Sequence, residues 1–132
     1  MWHETLSMLR AHPLFGAGLA AFPTAIAPYH NAEYYEIFQY PHNTFLTVWS
    51  ELGILGLLAF LVIAYVVVRS VWQERNSPHV LAAFAGLSTM VIHGLVDVPF
   101  FKNDLALLTA LLLACIATQH KKNTAPQKTF VD

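Results

Sequence analysis

Pro41-His42-Asn43-Thr44-Phe45-Leu46 runs on through Trp49-Ser50-Glu51-Leu52-Gly53-Ile54-Leu55-Gly56 into an apolar run that ends at Arg69. Proline pushes the residue before it out of helical geometry, so Pro41 marks a boundary, and Asn43 is then well placed to cap a helix starting near Thr44. At about 100° per residue, Asn43, Thr47, Ser50 and Glu51 fall on one side of that helix. A rise of about 1.5 Å per residue puts Glu51 roughly 12 Å below Asn43. The pattern is a polar stripe descending into an apolar environment, at the mouth of a membrane helix.

Composition agrees. The 132 residues are 56% hydrophobic and 11% charged, against roughly 45–50% apolar and 25% charged in soluble domains. One domain embedded in a membrane is expected. A net charge of -1 argues against a nucleic-acid partner, which calls for a basic face or stripe. Cys115 stands alone in an apolar run and forms no internal disulfide, so it says nothing about compartment. The start at Met1 lacks a basic region, an apolar core and a small-residue cleavage site, so it does not read as a signal peptide. An exported first third without an export signal leads to the expectation that further sequence upstream carries it across.

In order along the chain, Trp2, Leu6 and Leu9 recur at helical spacing, which predicts a short amphipathic helix over 2–10, lying on the membrane or on other helices. Pro13, Gly16, Gly18, Pro23 and Pro28 make 13–41 an ordered loop with short helical pieces. Its aromatic group, Tyr29, Tyr34, Tyr35, Phe38 and Tyr40, suits a membrane interface and also suits stacking on sugar rings. Three apolar segments follow, at about 45–68, 80–96 and 105–118; the third is short for a crossing of about 30 Å.

The predicted fold class is therefore an all-α integral membrane protein. About three transmembrane helices are preceded by a periplasmic segment, 1–44, and followed by a cytoplasmic tail, 119–132. Charge placement sets the orientation. Arg69 and Arg75 lie between the first two apolar segments and Lys121, Lys122 and Lys128 follow the third, whereas 97–104 holds only Lys102 and 1–44 only Arg10. The 69–79 loop and the tail are then cytoplasmic, and 1–44 and 97–104 face the periplasm of a bacterial inner membrane.

This topology puts His42 and Asn43, at the start of the first membrane helix, level with His93 and Asp97 at the end of the second. His93 and Asp97, spaced i, i+4, share a helix face. Such a pair can orient a hydroxyl, move a proton or clamp two helices, and ionisable groups in membrane segments are functional candidates because they are costly there. The plainer readings are Asn43 as a simple cap, Glu51 as a buried partner for an arginine on a missing helix, and Gly53 and Gly56 as points of close helix approach. His3, His12, His30, His79 and His120 have no distinguishing spacing. No His-Glu-x-x-His or cysteine pair favours a metal, and no Gly-x-Ser-x-Gly elbow favours serine hydrolysis.

The Pro41-His42-Asn43 motif with Glu51-Leu52-Gly53-Ile54-Leu55-Gly56 resembles the signature of the O-antigen ligase and polymerase family of bacterial membrane glycosyltransferases. Trp2, Leu6, Leu9 and 12–18 (His-Pro-Leu-Phe-Gly-Ala-Gly) are similar to that family's lead-in, and 93–97 (His-Gly-Leu-Val-Asp) to its later His/Asp segment. The resemblance implies transfer of a glycan from an undecaprenyl-pyrophosphate carrier to a periplasmic acceptor: lipid A core, another repeat unit or a protein. It implies no divalent metal or other cofactor. It makes His42 the base or pyrophosphate contact, Asn43 its positioner, His93 and Asp97 second-rank catalytic participants and Glu51 a supporting residue; Glu51, Arg10 and the aromatic-cluster residues Tyr34 and Tyr35 are the substrate-binding candidates. Two departures stand out: Arg10 does not match the arginines expected to handle pyrophosphate, and three crossings fall short of the roughly ten to twelve the family implies. The chain is thus expected to be a C-terminal portion, inactive without its missing N-terminal helices or a partner membrane protein. Two other readings remain: a non-catalytic subunit packed on such a partner, and a transporter fragment using His93 and Asp97 as a proton relay.

Overall fold

The structure is a computed structural model that describes residues 1–31 and 36–124. Among these residues every regular element is helical: α1 (Trp2–Ala11), α2 (Phe22–Ile26), α3 (Thr44–Gln73), α4 (Pro78–His93) and α5 (Asn103–Thr124), with 3₁₀ turns at Ala27–Tyr29 and Pro99–Phe101. The all-helical expectation holds, and the loop over 13–41 carries the short helical pieces that its prolines allow.

α1 forms where predicted, but it buries a different stripe. Met8 and Leu9 are buried against Phe22 and Ile26 of α2, with Leu46 and Trp49 of α3 packed on the same cluster, and Thr5 of the same helix is buried as well. Trp2 and Leu6 stay largely exposed. The Trp2 indole N–H donates to the Pro41 carbonyl at 2.8 Å, which fixes the start of α1 against the Pro-His-Asn turn. Glu4 Oε1 accepts the Asn31 N–H at 3.0 Å and lies 3.6 Å from His30 Nδ1, so the same helix also holds the far end of the loop.

α3 departs most from expectation. Its helix is interrupted at Gly53, which sits at φ 70, ψ -173, a region essentially restricted to glycine. The loop 13–18 fills the gap. The Ile54 N–H donates to the Leu14 carbonyl at 3.1 Å, and the Ser50 carbonyl accepts from Ala17 and Gly18 at 2.7 and 3.1 Å. Backbone groups orphaned by the break are thereby satisfied. Gly53 is thus a close approach between a helix and a loop, not between two helices: a Cβ there would strike the Leu14 carbonyl oxygen. The Trp49 indole adds a bond to the Pro13 carbonyl at 2.9 Å.

The break divides α3 by environment. Thr44, Thr47, Val48 and Ser50 are buried among α1 and the loop, whereas most large apolar side chains beyond Gly53, from Leu55 to Trp72, are exposed. At about 1.5 Å per residue, 54–73 still spans roughly 30 Å. Among the described residues α3 is the one helix long and apolar enough to cross a membrane; Pro78–His93 and Asn103–Gln119 are shorter apolar helices.

Pro78 at the first turn of α4 suits a position whose N–H has no helical partner. α4 packs on α5 and the end of α3 through Val71, Val80, Ala83, Leu87 and Ile116. α4 ends at His93, three residues short of the predicted 96, because the chain turns at 94–96. That turn brings the segment 94–97 back against the start of α3.

Candidate functional site

The site forms where two segments about fifty positions apart are stitched together. Asn43, in an extended conformation, accepts the Leu46 N–H on Oδ1 at 3.1 Å, which is the expected N-cap. Its Nδ2 donates to the Leu95 carbonyl at 2.9 Å. The Thr44 N–H donates to the Gly94 carbonyl at 2.7 Å, and Thr44 Oγ1 to the Asp97 carbonyl at 3.3 Å. These bonds join the N-terminus of α3 to the C-terminus of α4, so the orphan donors of one end meet the orphan acceptors of the other. Asn43 is therefore both a cap and a tie.

His42 has φ 49, uncommon for a residue other than glycine. The turn sets its ring between neighbouring aromatics: the Tyr40 ring centroid is 4.8 Å away and that of Phe38 is 5.3 Å away, edge-on. The ring's Nδ1 lies 3.4 Å from Asp97 Oδ1. On the other carboxylate oxygen, Oδ2, His93 Nε2 lies at 3.5 Å and Lys102 Nζ forms a short ion pair. Asp97 is the centre of the cluster, with 19% of its side chain exposed against 36% for His42 and 55% for His93. The hydrogen bond from Lys102 is the chief reason its pKa is lowered to about 2; burial opposes that shift, and the Val98 N–H and His42 assist it. The same bond raises the pKa of Lys102. Asp97 is therefore a fixed anion that gathers three nitrogen-bearing side chains at one point.

Of the residues the sequence singled out, His42, Asn43, His93 and Asp97 come together. Glu51 does not join them. Its Oε2 accepts the Ala20 N–H at 2.7 Å, with Ala20 at φ 55; its partner here is a backbone amide of the loop rather than an arginine. Arg10 is exposed in the last turn of α1. Tyr34 and Tyr35 lie outside the described residues. Lys102, which enters the sequence argument only through its charge, joins the cluster as well; a lysine five positions beyond an aspartate in a short turn is the signal that points to it. Among the described residues no group of three His, Cys, Asp or Glu side chains is arranged to hold a metal ion.

The long apolar helix and the His-Asp-Lys cluster define a helical protein with a polar site at the end of an apolar bundle, and sequence comparison shows what it is similar to. Residues 1–61 match the family model described as O-antigen ligase. The matched stretch contains the Pro-His-Asn and Glu-Leu-Gly-Ile-Leu-Gly motifs with His42 and Asn43, while His93 and Asp97 lie beyond it. A Rickettsia conorii protein named "Putative polysaccharide ligase" is 26% identical over 103 residues, covering 74% of this chain and 25% of that protein. Proteins of the same description from Rickettsia felis and Rickettsia prowazekii are 24% and 26% identical over the same length. The chain spans about a quarter of the length of these relatives. No solved structure matches it.

Proposed function

We propose that this chain is the C-terminal portion of a membrane glycosyltransferase that moves a glycan from undecaprenyl pyrophosphate to a hydroxyl of a periplasmic acceptor, such as lipid A core, a glycan repeat or a protein. The observation that carries it is the convergence of His42 and His93, from two separate motifs, on the single carboxylate of Asp97. In this reading α3 beyond Gly53, α4 and α5 cross the inner membrane, residues 1–44 and the 97–102 turn stand on the periplasmic side, and the tail is cytoplasmic.

The chemistry follows from the partners. Asp97 holds the Nδ1 side of His42, so a proton kept there leaves Nε2 to receive the acceptor's proton. The acceptor oxygen then bonds to the anomeric carbon, the bond from that carbon to the pyrophosphate oxygen breaks, and the pyrophosphate leaves on its lipid. Lys102, on the other carboxylate oxygen, supplies positive charge towards that leaving group, and His93 beside it offers a hydrogen bond. Asn43 positions His42 by holding the turn that presents it, and Glu51 supports the loop beside the site. Arg10 and the segment with Tyr34 and Tyr35 are proposed as outlying glycan contacts.

The test is His42→Ala in the complete membrane protein. Loss of general base catalysis lowers glycan transfer by about 10²–10⁴-fold at an unchanged protein level. Transfer at the wild-type rate would remove the catalytic assignment and leave a packing role.

A further inference from the structure

A cavity of about 300 Å³ adjoins the Asp97 cluster, walled by Gln39, Tyr40, Thr47, Glu51, Val98 and Phe101 among others. This is the lower end of the range, roughly 300–1,000 Å³, of small-molecule sites, enough for one compact ring rather than a chain. Its wall borders the cluster: the Tyr40 ring lies 4.8 Å from the His42 ring at a tilt of 59°, and Val98 follows Asp97 in sequence. An occupant of the cavity therefore touches Tyr40, whose ring neighbours that of His42.

The chemistry of the wall is two-sided. Tyr40, Val98 and Phe101 offer aromatic and aliphatic surface, and Gln39, Thr47 and Glu51 offer polar atoms. Glu51 Oε2 is held by the Ala20 amide, while Oε1 has no hydrogen-bond partner among the described residues. Thr47 is 3% exposed and its Oγ1 is buried without a partner, an arrangement that costs free energy until something satisfies it. A pyranose ring has the matching character, with C–H faces that pack on aromatic rings and hydroxyls that bond to carboxylate, amide and hydroxyl groups. The second cavity, of about 360 Å³ between α3, α4 and α5, is lined by Phe60, Val67, Phe84, Leu113 and similar side chains with no charged group. Its only hydroxyls among the described residues are those of Ser88 and Thr109, and with no carboxylate or amide beside them its wall suits an apolar occupant better than a sugar.

We infer that the cavity under Tyr40 is a pyranose subsite, in which Glu51 and Thr47 bind the hydroxyls of the single sugar residue that reacts at His42. The inference rests on the proposed glycosyl transfer. The ring comes either from the donor's first sugar or from the acceptor's terminal sugar.

The experiment uses the complete membrane protein and the double variant Thr47→Val/Glu51→Gln. Valine keeps the shape of threonine, and glutamine keeps an oxygen for the Ala20 amide, so the loop stays held. In glycan transfer with donor and acceptor varied separately, the variant is expected to raise one KM by about 10-fold, the worth of one hydrogen bond to a charged group, with kcat within about twofold. The KM that moves names the source of the ring. Both KM values unchanged, or a fall in kcat alone, would overturn the subsite. A second readout does not need turnover: saturation-transfer NMR with methyl β-glucopyranoside and N-acetylglucosamine as probes. Signal on the ring protons that disappears in the double variant supports the subsite, and no signal, or equal signal in both proteins, overturns it. A wild-type protein that binds the probes through Thr47 and Glu51 but transfers no glycan would sink the proposed reaction and leave the subsite standing.

Discussion

Replacing Gly53 by alanine should eject the loop that fills the broken helix. Gly53 lies at φ 70, ψ -173, and placing alanine there costs of order 1–3 kcal/mol. The new Cβ meets the Leu14 carbonyl, so the Ile54 to Leu14 hydrogen bond is lost as well, about 0.5–1.5 kcal/mol. The alternative, an uninterrupted helix through residue 53, gains about 0.8–1 kcal/mol from alanine over glycine. Together these shift the balance by about 3 kcal/mol, a factor of about 150. The assay is hydrogen exchange by mass spectrometry on the complete protein in lipid nanodiscs, following the Ala17 and Gly18 amides that now bond to Ser50. Their exchange should speed up by about two orders of magnitude. Gly18→Ala is the control: it has φ 89, but an added Cβ meets nothing within 4 Å, so it incurs only the left-handed cost of about 1–2 kcal/mol. Exchange in Gly53→Ala equal to wild type, or a larger effect from Gly18→Ala, would refute the argument that the loop and the break hold one another.

Removal of Lys102 tests the Asp97 anion. The folded pKa of about 2 lies below the ordinary value of about 3.9, so the charged carboxylate stabilises the fold above about pH 4 and that contribution is lost as pH falls towards 2. Lys102→Ala should thus melt below wild type at pH 5–7, with the difference vanishing near pH 2; a difference that persists there would deny the ion pair its role. Asn43→Ala removes both the cap and the tie to Leu95 and should cost about 1–2 kcal/mol, read as a lower thermal midpoint; an unchanged midpoint would show that Thr44 alone joins the two segments. For the proposed orientation, single cysteines at 75 and 102 in a Cys115→Ser background should react differently with a membrane-impermeant thiol reagent in intact spheroplasts. Position 102 should label and position 75 should not, and the reverse pattern would invert the topology.

How much of this was legible in the sequence depended on the distance over which each feature is decided. The Asn43 cap and the extent of α1 are set by a few adjacent residues, and both were readable. The meeting of His42 and His93 with Asp97 was readable too, because the ends of the apolar segments place these residues at one level. The break at Gly53 was not, since a glycine in an apolar helix reads equally as a point of close packing; what breaks the helix is a carbonyl from Leu14, brought in by a loop far away in sequence. Glu51 shows the same limit: its partner is the amide of Ala20 in a left-handed conformation, and no side-chain pattern announces a backbone donor. Lys102 was visible and was weighed only as a charge.

The interruption at Gly53 also separates two quantities that a continuous helix would bind together. In an unbroken helix each residue added to or removed from the apolar run turns everything above it by about 100°. Here the 44–52 helix takes its azimuth from the loop at Ser50 and from the clasp at Gly94 and Leu95. The orientation of the 44–52 helix, and with it the bearing of His42 on Asp97, is thus set independently of the length of the apolar run 54–73.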